Sequence, residues 1–336
     1  MKLETCNLKH FFRKYSKFLV LSFMIYVSCF MFHVSFIHAQ EINLSVAPPL
    51  IKTIIKPGKT ILIGYKLQNL GDPVIVTTRV AGLIPIGNNG GLRIENGPTD
   101  PILFNLDNAE LKLNQPFLMK SAQQQQLLVR IKVPDQTPEG DYYYTLLNET
   151  KPSQSDSELS TSTKATIGSN ILLTVTKSGK TDINGKIAFF DVVPRFKLPF
   201  FGNVFDSSDK IPVRLFIVNV GHNVITPEGT INLIGNFGEK ATFNIIPKNI
   251  LINSQRIMEA STSGQMTDQA DSSLLLSGFF LGHYKLATTI NFGPGTQTLF
   301  GQASFIAFPI KLVIVLTFVL FIVFILLKQY KKQTLP

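Results

Sequence analysis

The same strand–turn–strand pattern occurs twice in the middle of the chain. Residues 65–76 read YKLQNLGDPVIV and residues 215–226 read LFIVNVGHNVIT, each with an N-x-G turn between two apolar runs. Further along, Gly140-Asp141-Tyr142 and Gly282-His283-Tyr284 each open another strand-like run. The Asn-to-Gly spacing is 71 residues in the first copy and 63 in the second. These anchors predict one unit of roughly 120–135 residues built twice.

The local pattern between these anchors is that of β-strands and turns. Runs such as residues 60–66 (TILIGYK) and 74–80 (VIVTTRV) are β-branched and short, and Gly, Pro, Asn and Asp separate them. We therefore predict an all-β fold with two tandem immunoglobulin-like β-sandwich domains, residues 41–178 and 183–308. A Gly-x-Tyr before a late strand is typical of the tyrosine corner, in which the hydroxyl bonds to upstream backbone. That motif makes Tyr142 and Tyr284 the predicted structural corners.

The C-terminal region contains the clearest membrane signal. Residues 312–327 are apolar except for Thr317. Counted from residue 310, a helix rising about 1.5 Å per residue would reach roughly 27 Å, close to the hydrocarbon thickness of a bilayer. We predict a transmembrane helix over residues 310–327 and a basic cytoplasmic tail over residues 328–336, because positive residues stay inside.

The N-terminal region has the order of a secretory signal. Residues 1–17 are basic, residues 18–36 carry no charged side chain, and the small residue Ala39 precedes polar sequence. We predict a signal peptide over residues 1–39. An uncleaved N-terminal anchor and a lipoprotein-type cut before Cys29 remain alternatives. Both basic ends belong inside, so the expected product is a single-pass membrane protein with residues 40–308 outside the cytoplasm, at the cell surface or in a periplasm.

Charge and cysteine content exclude several function classes. The net charge is +10, but eight of these charges come from residues 1–17, Lys311 and the tail. The remainder is nearly neutral, so no nucleic-acid-binding face is expected. Both cysteines, Cys6 and Cys29, lie in the predicted signal segment. A mature chain without them has no thiol enzyme chemistry, no zinc-cysteine site and no disulfide framework.

Catalytic and cofactor motifs are missing from the sequence. Only His222 and His283 lie outside the predicted signal segment, both at turn or strand-entry positions, and no G-x-S-x-G elbow accompanies the serines. Asp268 and Asp271 are too sparse for a calcium loop, and no glycine loop opens a helix to hold a phosphate. We expect a protein that is not an enzyme, with no cofactor and no metal.

A phenylalanine-rich stretch is the candidate for a binding surface. Residues 189–205 read FFDVVPRFKLPFFGNVF. In one interpretation these rings fill the core of the second domain or the seam between domains. In the other, Phe196, Phe200, Phe201 and Phe205 form an exposed apolar interaction patch that binds a partner or touches the bilayer.

The whole plan resembles the WxL-interacting cell-surface proteins of bacteria, which have a signal, two immunoglobulin-like domains, one C-terminal membrane helix and a short basic tail. The matching segments are residues 46–49 (VAPP), 56–59 (KPGK), 69–72 (NLGD), 138–142 (PEGDY) and 282–286 (GHYKL). In that family the first domain is associated with peptidoglycan and the second with host or partner surfaces. The resemblance transfers no binding residue to a position in this chain.

These observations predict a membrane-tethered bacterial binding or scaffolding protein of the cell surface. It would recognise a cell-wall polymer or a surface protein through the loops or strand edges of its sandwiches, and β-augmentation is a natural route. The alternative is a pilus-chaperone-like assembly factor for secreted subunits. A basic pair in the cleft between the domains would favour that alternative, and the sequence reveals none. An envelope enzyme is the least favoured class.

Overall fold

The computed structural model describes residues 22–24, 41–97, 101–151, 164–194, 196–198, 202–261 and 272–333. Strands account for 54% of these described residues and helix for 9%. Apart from residues 22–24, the predicted signal segment lies outside the described residues, as do Phe200 and Phe201 of the predicted patch.

The described residues of the first domain form ten strands in two facing sheets. Its strands are β1 (Leu44–Ala47), β2 (Leu50–Ile55), β3 (Thr60–Asn69), β4 (Val74–Ile86), β5 (Gly91–Ile94), β6 (Leu103–Leu106), β7 (Pro116–Met119), β8 (Gln124–Lys132), β9 (Gly140–Lys151) and β10 (Thr166–Val175). One sheet has the order β1-β3-β8-β6, and the other has the order β2-β10-β9-β4-β5 with β7 also paired to β4. Most neighbours are antiparallel, which is the arrangement of an immunoglobulin-like sandwich.

The N-terminal part of this domain contributes to both sheets. Strand β1 pairs antiparallel with β3, and β2 pairs parallel with β10. Pro48 and Pro49 separate β1 from β2, and because proline has no N–H it cannot continue a ladder. The chain changes sheets at this point. As a result β2 becomes an edge strand, with β10 on one side and no described strand on the other.

The second domain repeats this organisation. Its strands are β11 (Gly185–Val192), β12 (Phe196–Leu198), β13 (Gly202–Asp206), β14 (Ile211–Asn219), β15 (Glu228–Gly235), β16 (Lys240–Ile245), β17 (Gln255–Ile257), β18 (Ala260–Ser261), β19 (Leu274–Leu276), β20 (Gly282–Asn291) and β21 (Leu299–Phe308). One sheet has the order β11-β14-β17 with β19 also on β14, and the other has the order β12-β13-β21-β20-β15-β16-β18. Here too the first strand, β11, pairs antiparallel with a strand of its sheet, β14. Strand β13, near the start of the domain, pairs parallel with its last strand, β21.

The two N-x-G turns make the same contacts in both domains. Asn69 Nδ2 donates to backbone carbonyls at 2.7 and 3.1 Å, and its Oδ1 accepts the N–H of Gly71 at 3.1 Å. Asn219 Nδ2 donates to backbone carbonyls at 2.9 and 3.0 Å, and its Oδ1 accepts the N–H of Gly221 at 3.0 Å. Both asparagines are buried. The sequence repeat therefore corresponds to one buried turn made twice.

Each domain has its own hydrophobic core. Tyr65, Tyr144 and Leu127 are fully buried in the first. In the second, the ring of Tyr284 stacks on that of Phe305 with the ring centres 5.1 Å apart. The chain contains no tryptophan, so aliphatic side chains, tyrosine and phenylalanine supply the packing.

A long helix, α1 (Ile310–Gln333), follows β21 directly. Its segment Ile310–Tyr330 has 21 residues and a mean hydropathy of 3.2, and none of that segment is buried against the rest of the protein. By length and composition it suffices to cross a membrane. The predicted fold class, tandem immunoglobulin-like sandwiches followed by one C-terminal apolar helix, is confirmed.

The first turn of α1 is bonded to the second domain. The backbone N–H of Lys311 donates to Asp206 Oδ2 at 2.9 Å. The Lys311 ammonium lies 2.6 Å from Asp209 Oδ1 and 3.3 Å from Asp206 Oδ1. The Lys311 N–H, followed by the Ser208 hydroxyl, holds the pKa of Asp206 well below its ordinary value. Asp206 thus satisfies a free N–H at the helix start, as a capping residue does.

Candidate functional site

The two domains are joined by one carboxylate, that of Asp141 at the start of β9. Within the first domain it accepts the hydroxyls of Thr174 at 2.6 Å and Tyr143 at 3.2 Å. From the second domain it accepts Asn223 Nδ2 at 2.8 Å and the backbone N–H of Val224 at 2.5 Å. Hydrogen bonds to a charged acceptor are stronger than neutral ones, so this side chain restrains the angle between the domains.

An apolar seam surrounds this carboxylate. Leu172 of β10 packs with Val224 and Leu251 of the second domain, and Tyr143 lies against them. The Tyr143 hydroxyl also accepts the backbone N–H of Ile252 at 3.1 Å. Burial, reinforced by the nearby Asp141 charge, raises the pKa of Tyr143, so the phenol stays neutral and serves as both donor and acceptor across the seam.

The turn between β4 and β5 forms a second bridge between the domains. The carbonyl of Asn88 accepts the N–H of Ile257 at 2.9 Å, and the Asn88 side chain accepts Gln255 Nε2 at 2.9 Å. Gly90 in this turn has a φ of +76°, and a Cβ there would lie 2.3 Å from Arg256 Cζ. Only glycine fits both the backbone conformation and the close approach.

A cleft lies between these two bridges. It encloses about 150 Å³, enough for one aliphatic side chain. Apolar residues of the first domain form one wall, and a polar loop of the second domain forms the other. Its lining includes Leu50, Ile86, Leu92, Leu172, Asn249 and Arg256. An apolar pocket with a few polar groups is the usual form of a binding site.

A chain of hydrogen bonds through Thr226 and Asn249 links two cations of different domains, Lys52 and Arg256. Lys52 Nζ donates to Thr226 Oγ1 at 3.0 Å, and that hydroxyl donates to Asn249 Oδ1 at 2.9 Å. Arg256 Nη1 donates to the Asn249 carbonyl at 3.0 Å. Burial lowers the pKa of both Lys52 and Arg256, against the opposing charges of Asp141 and Glu259. Among the described residues Arg256 Nε is buried without a hydrogen-bond partner.

This pair corrects the expectation that the cleft contains no basic pair. Lys52 belongs to β2 of the first domain, and Arg256 belongs to β17 of the second. Neither is near the other in sequence, so only the docking of the domains brings them together. The one available signal was Lys52 itself, a charged residue in the middle of the apolar run LIKTII.

The free edge of β2 runs alongside the cleft. The carbonyls of Pro49 and Ile55 accept N–H groups of β10 and of the residue after it. Since backbone groups of alternate residues point to opposite sides of a strand, those of Leu50, Lys52 and Ile54 point away from β10. Leu50 and Ile54 are also exposed. Within the described part of the chain, this edge therefore offers unpaired backbone groups next to an apolar and cationic cleft.

The predicted phenylalanine patch is wrong for Phe205. Its side chain is only 6% exposed and belongs to the core of the second domain. Its ring meets that of Phe305 edge-to-face at 5.8 Å. The reason is strand alternation, since Phe205 lies on the inward face of β13. Phe196 lies in β12, paired with Val204, and Phe200 and Phe201 lie outside the described residues.

The two predicted corner tyrosines make different bonds. The Tyr142 hydroxyl donates to the carbonyl of Pro138 at 2.9 Å, four residues upstream. The Tyr284 hydroxyl accepts the N–H of Leu281 at 3.2 Å and donates to Glu239 Oε1 at 3.1 Å. The first contact has the geometry of a tyrosine corner. The second ties the tyrosine to the β15–β16 turn.

The remaining histidine and acidic residues do not assemble a metal cluster in the described part of the chain. No group of three or more His, Cys, Asp or Glu side chains is close enough there to hold a metal ion. His222 Nδ1 contacts Asp182 at the surface, and both side chains are exposed.

Comparison with known proteins gives structural similarities only. No protein family model matches the sequence, and no curated protein matches it. A chain of the chaperone–tip adhesin complex of CFA/I fimbriae biogenesis superposes with a TM-score of 0.39 at 12% identity, covering 78% of this chain and 98% of that one. The class 5 fimbriae chaperone CfaA gives 0.38 at 12% identity, covering 78% and 99%. The CsuC–CsuE chaperone–adhesion subunit complex of Acinetobacter baumannii gives 0.33 at 12% identity, covering 79% and 99%. Likeness at this level carries no argument about function.

Proposed function

We propose that this chain is a membrane-tethered, non-enzymatic binding protein that holds an extended segment of a protein partner along the free edge of β2. The observation that carries the proposal is the juxtaposition of that edge, on which Lys52 lies, with the cleft lined by Arg256. The tether is α1, with Lys328 at its far end. By the positive-inside rule the two sandwiches then lie outside the cytoplasm.

Backbone pairing would supply the first part of the binding energy. A partner strand placed beside β2 would bond the groups of Leu50, Lys52 and Ile54 that point away from β10. Such strand addition gives affinity through the main chain and specificity through alternate side chains. The charge of Lys52 does not simply prevent another strand from pairing with this edge, because its ammonium is bonded to Thr226 of the second domain.

The cleft would supply the specificity. Its volume of about 150 Å³ fits one aliphatic side chain, and burying such a side chain is worth about 1.5–3 kcal/mol. Beside it, Lys52 and the unpartnered Arg256 Nε would receive an anionic group of the partner, such as a carboxylate. Because Asp141 restrains the two walls, little of this energy is lost to ordering the site.

A second candidate is the pilus-chaperone-like assembly factor, which is a special case of the same binding mode. The Lys52–Arg256 pair between the domains favours it, since a basic cleft pair is the feature that distinguishes this class here. In that case the partner would be a secreted subunit that is later released. In the cell-surface interpretation, which the WxL-type resemblance suggests, the partner would stay bound as a cell-wall or surface component.

The test is site-specific photocrosslinking in intact cells. A benzophenone amino acid replaces Ile54, which is exposed at the free edge of β2. The matched control is Ile75, another exposed isoleucine, whose strand is paired on both sides by β7 and β9. We expect a discrete crosslinked protein at position 54 and none at position 75. Mass spectrometry of that product then separates a transient secreted subunit from a resident surface protein.

The cation pair is tested in the same assay. Lys52→Met keeps the aliphatic stem of the side chain and removes its charge. We expect the yield of the position-54 crosslink to fall at least fivefold while expression and thermal stability stay the same. Equal crosslinking at positions 54 and 75, or no effect of Lys52→Met, contradicts the proposed site.

A further inference from the structure

One end of the second domain carries both the start of α1 and a group of exposed apolar side chains. The N–H of Ser207 donates to the carbonyl of Phe308 at 3.1 Å, and the N–H of Phe280 donates to the carbonyl of Ser207 at 2.9 Å. Phe308 is the last residue of β21, two residues before Ile310 begins the helix. The segment around Phe280 is therefore held next to the helix junction.

Strand register brings a second turn to the same end. Gly282 pairs with Ala307, and Tyr284 pairs with Gly235, the last residue of β15. The turn that follows Gly235 carries Phe237. A Cβ placed on Gly282 would lie 3.4 Å from Phe237 Cε2. Three neighbouring strands thus place their ends, and the turns between them, level with the helix start.

The side chains that project from this end are large and apolar. We define the membrane-proximal rim as Phe237, Phe279, Leu281 and Phe308, which are 72%, 69%, 40% and 50% exposed. Four such residues in three separate segments cannot be explained as single scattered surface hydrophobics. An exposed apolar group of this kind marks an interaction surface.

Three carboxylates at this end are already paired within the protein. Asp206 and Asp209 contact the Lys311 ammonium. Glu239 accepts the N–H of Phe237 at 3.1 Å and the hydroxyl of Tyr284 at 3.1 Å. Pairing reduces the desolvation cost of bringing these groups near a low-dielectric phase, so they do not prevent the rim from approaching one.

We propose that the membrane-proximal rim lies in the interface of the same lipid bilayer that α1 crosses, so that the second domain stands directly on the membrane surface. This inference rests on the membrane tether in the proposed function. The occupant is lipid rather than another protein because the rim is continuous with an apolar helix that no described residue covers. Rings at the headgroup level are also the usual aromatic anchors of membrane proteins.

The absence of tryptophan from the sequence allows a clean experiment. Single-tryptophan variants of the full chain, Phe237→Trp and Phe279→Trp, are reconstituted into phosphatidylcholine vesicles containing lipids brominated near the glycerol end of the acyl chain. Phe300→Trp is the matched control, since Phe300 is 75% exposed but lies near the opposite end of β21. Phe308 lies eight residues further along the strand, which is about 26 Å at 3.3 Å per residue.

A fourth variant, Phe321→Trp in the middle of α1, tests the tether itself with lipids brominated near the acyl-chain end. We expect strong quenching at position 321, at least twofold quenching with a blue-shifted emission at positions 237 and 279, and neither effect at position 300. Circular dichroism and thermal unfolding confirm that each variant is folded.

The outcomes separate the inference from the proposal on which it rests. Quenching at position 321, with positions 237 and 279 behaving like position 300, overturns the rim and leaves the tether intact. Blue-shifted emission at 237 and 279 without bromine quenching means that protein covers the rim, and it also overturns the inference. No quenching at position 321 removes the tether and the rim together.

Discussion

Replacing Asp141 by alanine should uncouple the two domains. Of the four hydrogen bonds that this carboxylate accepts, those from Asn223 and Val224 cross the domain boundary. Each bond to a charged group contributes about 1.5–3 kcal/mol, so two of them amount to about 3–6 kcal/mol at most. Partial exposure to water reduces this figure, and we expect a loss of about 2–4 kcal/mol in the coupling free energy.

Differential scanning calorimetry of the full chain measures this loss. The wild-type domains should unfold in one cooperative transition, and the Asp141→Ala domains in two resolved transitions, the first at a lower temperature. Asp107→Ala is the control, since Asp107 pairs with Arg130 on the surface of the first domain alone. Such an exposed pair contributes little to stability. If both variants unfold alike in a single transition, the argument that Asp141 couples the domains is refuted.

The turns, the glycine at the cleft and the helix junction allow three more predictions. Asn219→Ala, and likewise Asn69→Ala, removes a buried side chain with three hydrogen bonds, so urea unfolding should show a loss of about 2–4 kcal/mol in the affected domain. Gly90→Ala should lower the crosslinking yield at position 54, whereas Gly97→Ala, which has a similar positive φ but open space around it, should not. The pKa of Asp206 is depressed below its ordinary value of 3.8. The stabilisation from this carboxylate is therefore complete above that pH and is lost as the pH falls toward the folded-state pKa. Acid unfolding of the Asp206→Asn variant should lack this pH-dependent loss of stability.

Local patterns were sufficient for the fold. Strand periodicity, turn residues and the repeated N-x-G motif each depend on neighbouring residues, and the buried bonds of Asn69 and Asn219 explain why the motif occurs twice. The apolar helix follows from composition alone. Phenylalanine occurs both in protein cores and on exposed interaction surfaces, so the phenylalanine stretch alone did not separate these two interpretations. The structure places Phe205 on the inward face of β13, in the core of the second domain.

The candidate site could not be predicted in the same way. Lys52 and Arg256 are ordinary residues in their own segments, and Thr226 and Asn249 link them only after the domains dock. The role of Asp141 is likewise not evident from its Gly-Asp-Tyr motif, in which the tyrosine is the recognisable feature. Its carboxylate points across a domain boundary, and nothing in the residues beside it specifies that boundary.

The amino-acid sequence alone determined that this chain forms two β-sandwiches and an apolar C-terminal helix, because those properties arise from short-range periodicity and from the transfer of side chains out of water. The tertiary structure decided which strand edge stays open, which cations meet in the cleft and which aromatic side chains surround the helix. Those outcomes depend on how separate segments pack against one another, and packing is a property of the whole chain.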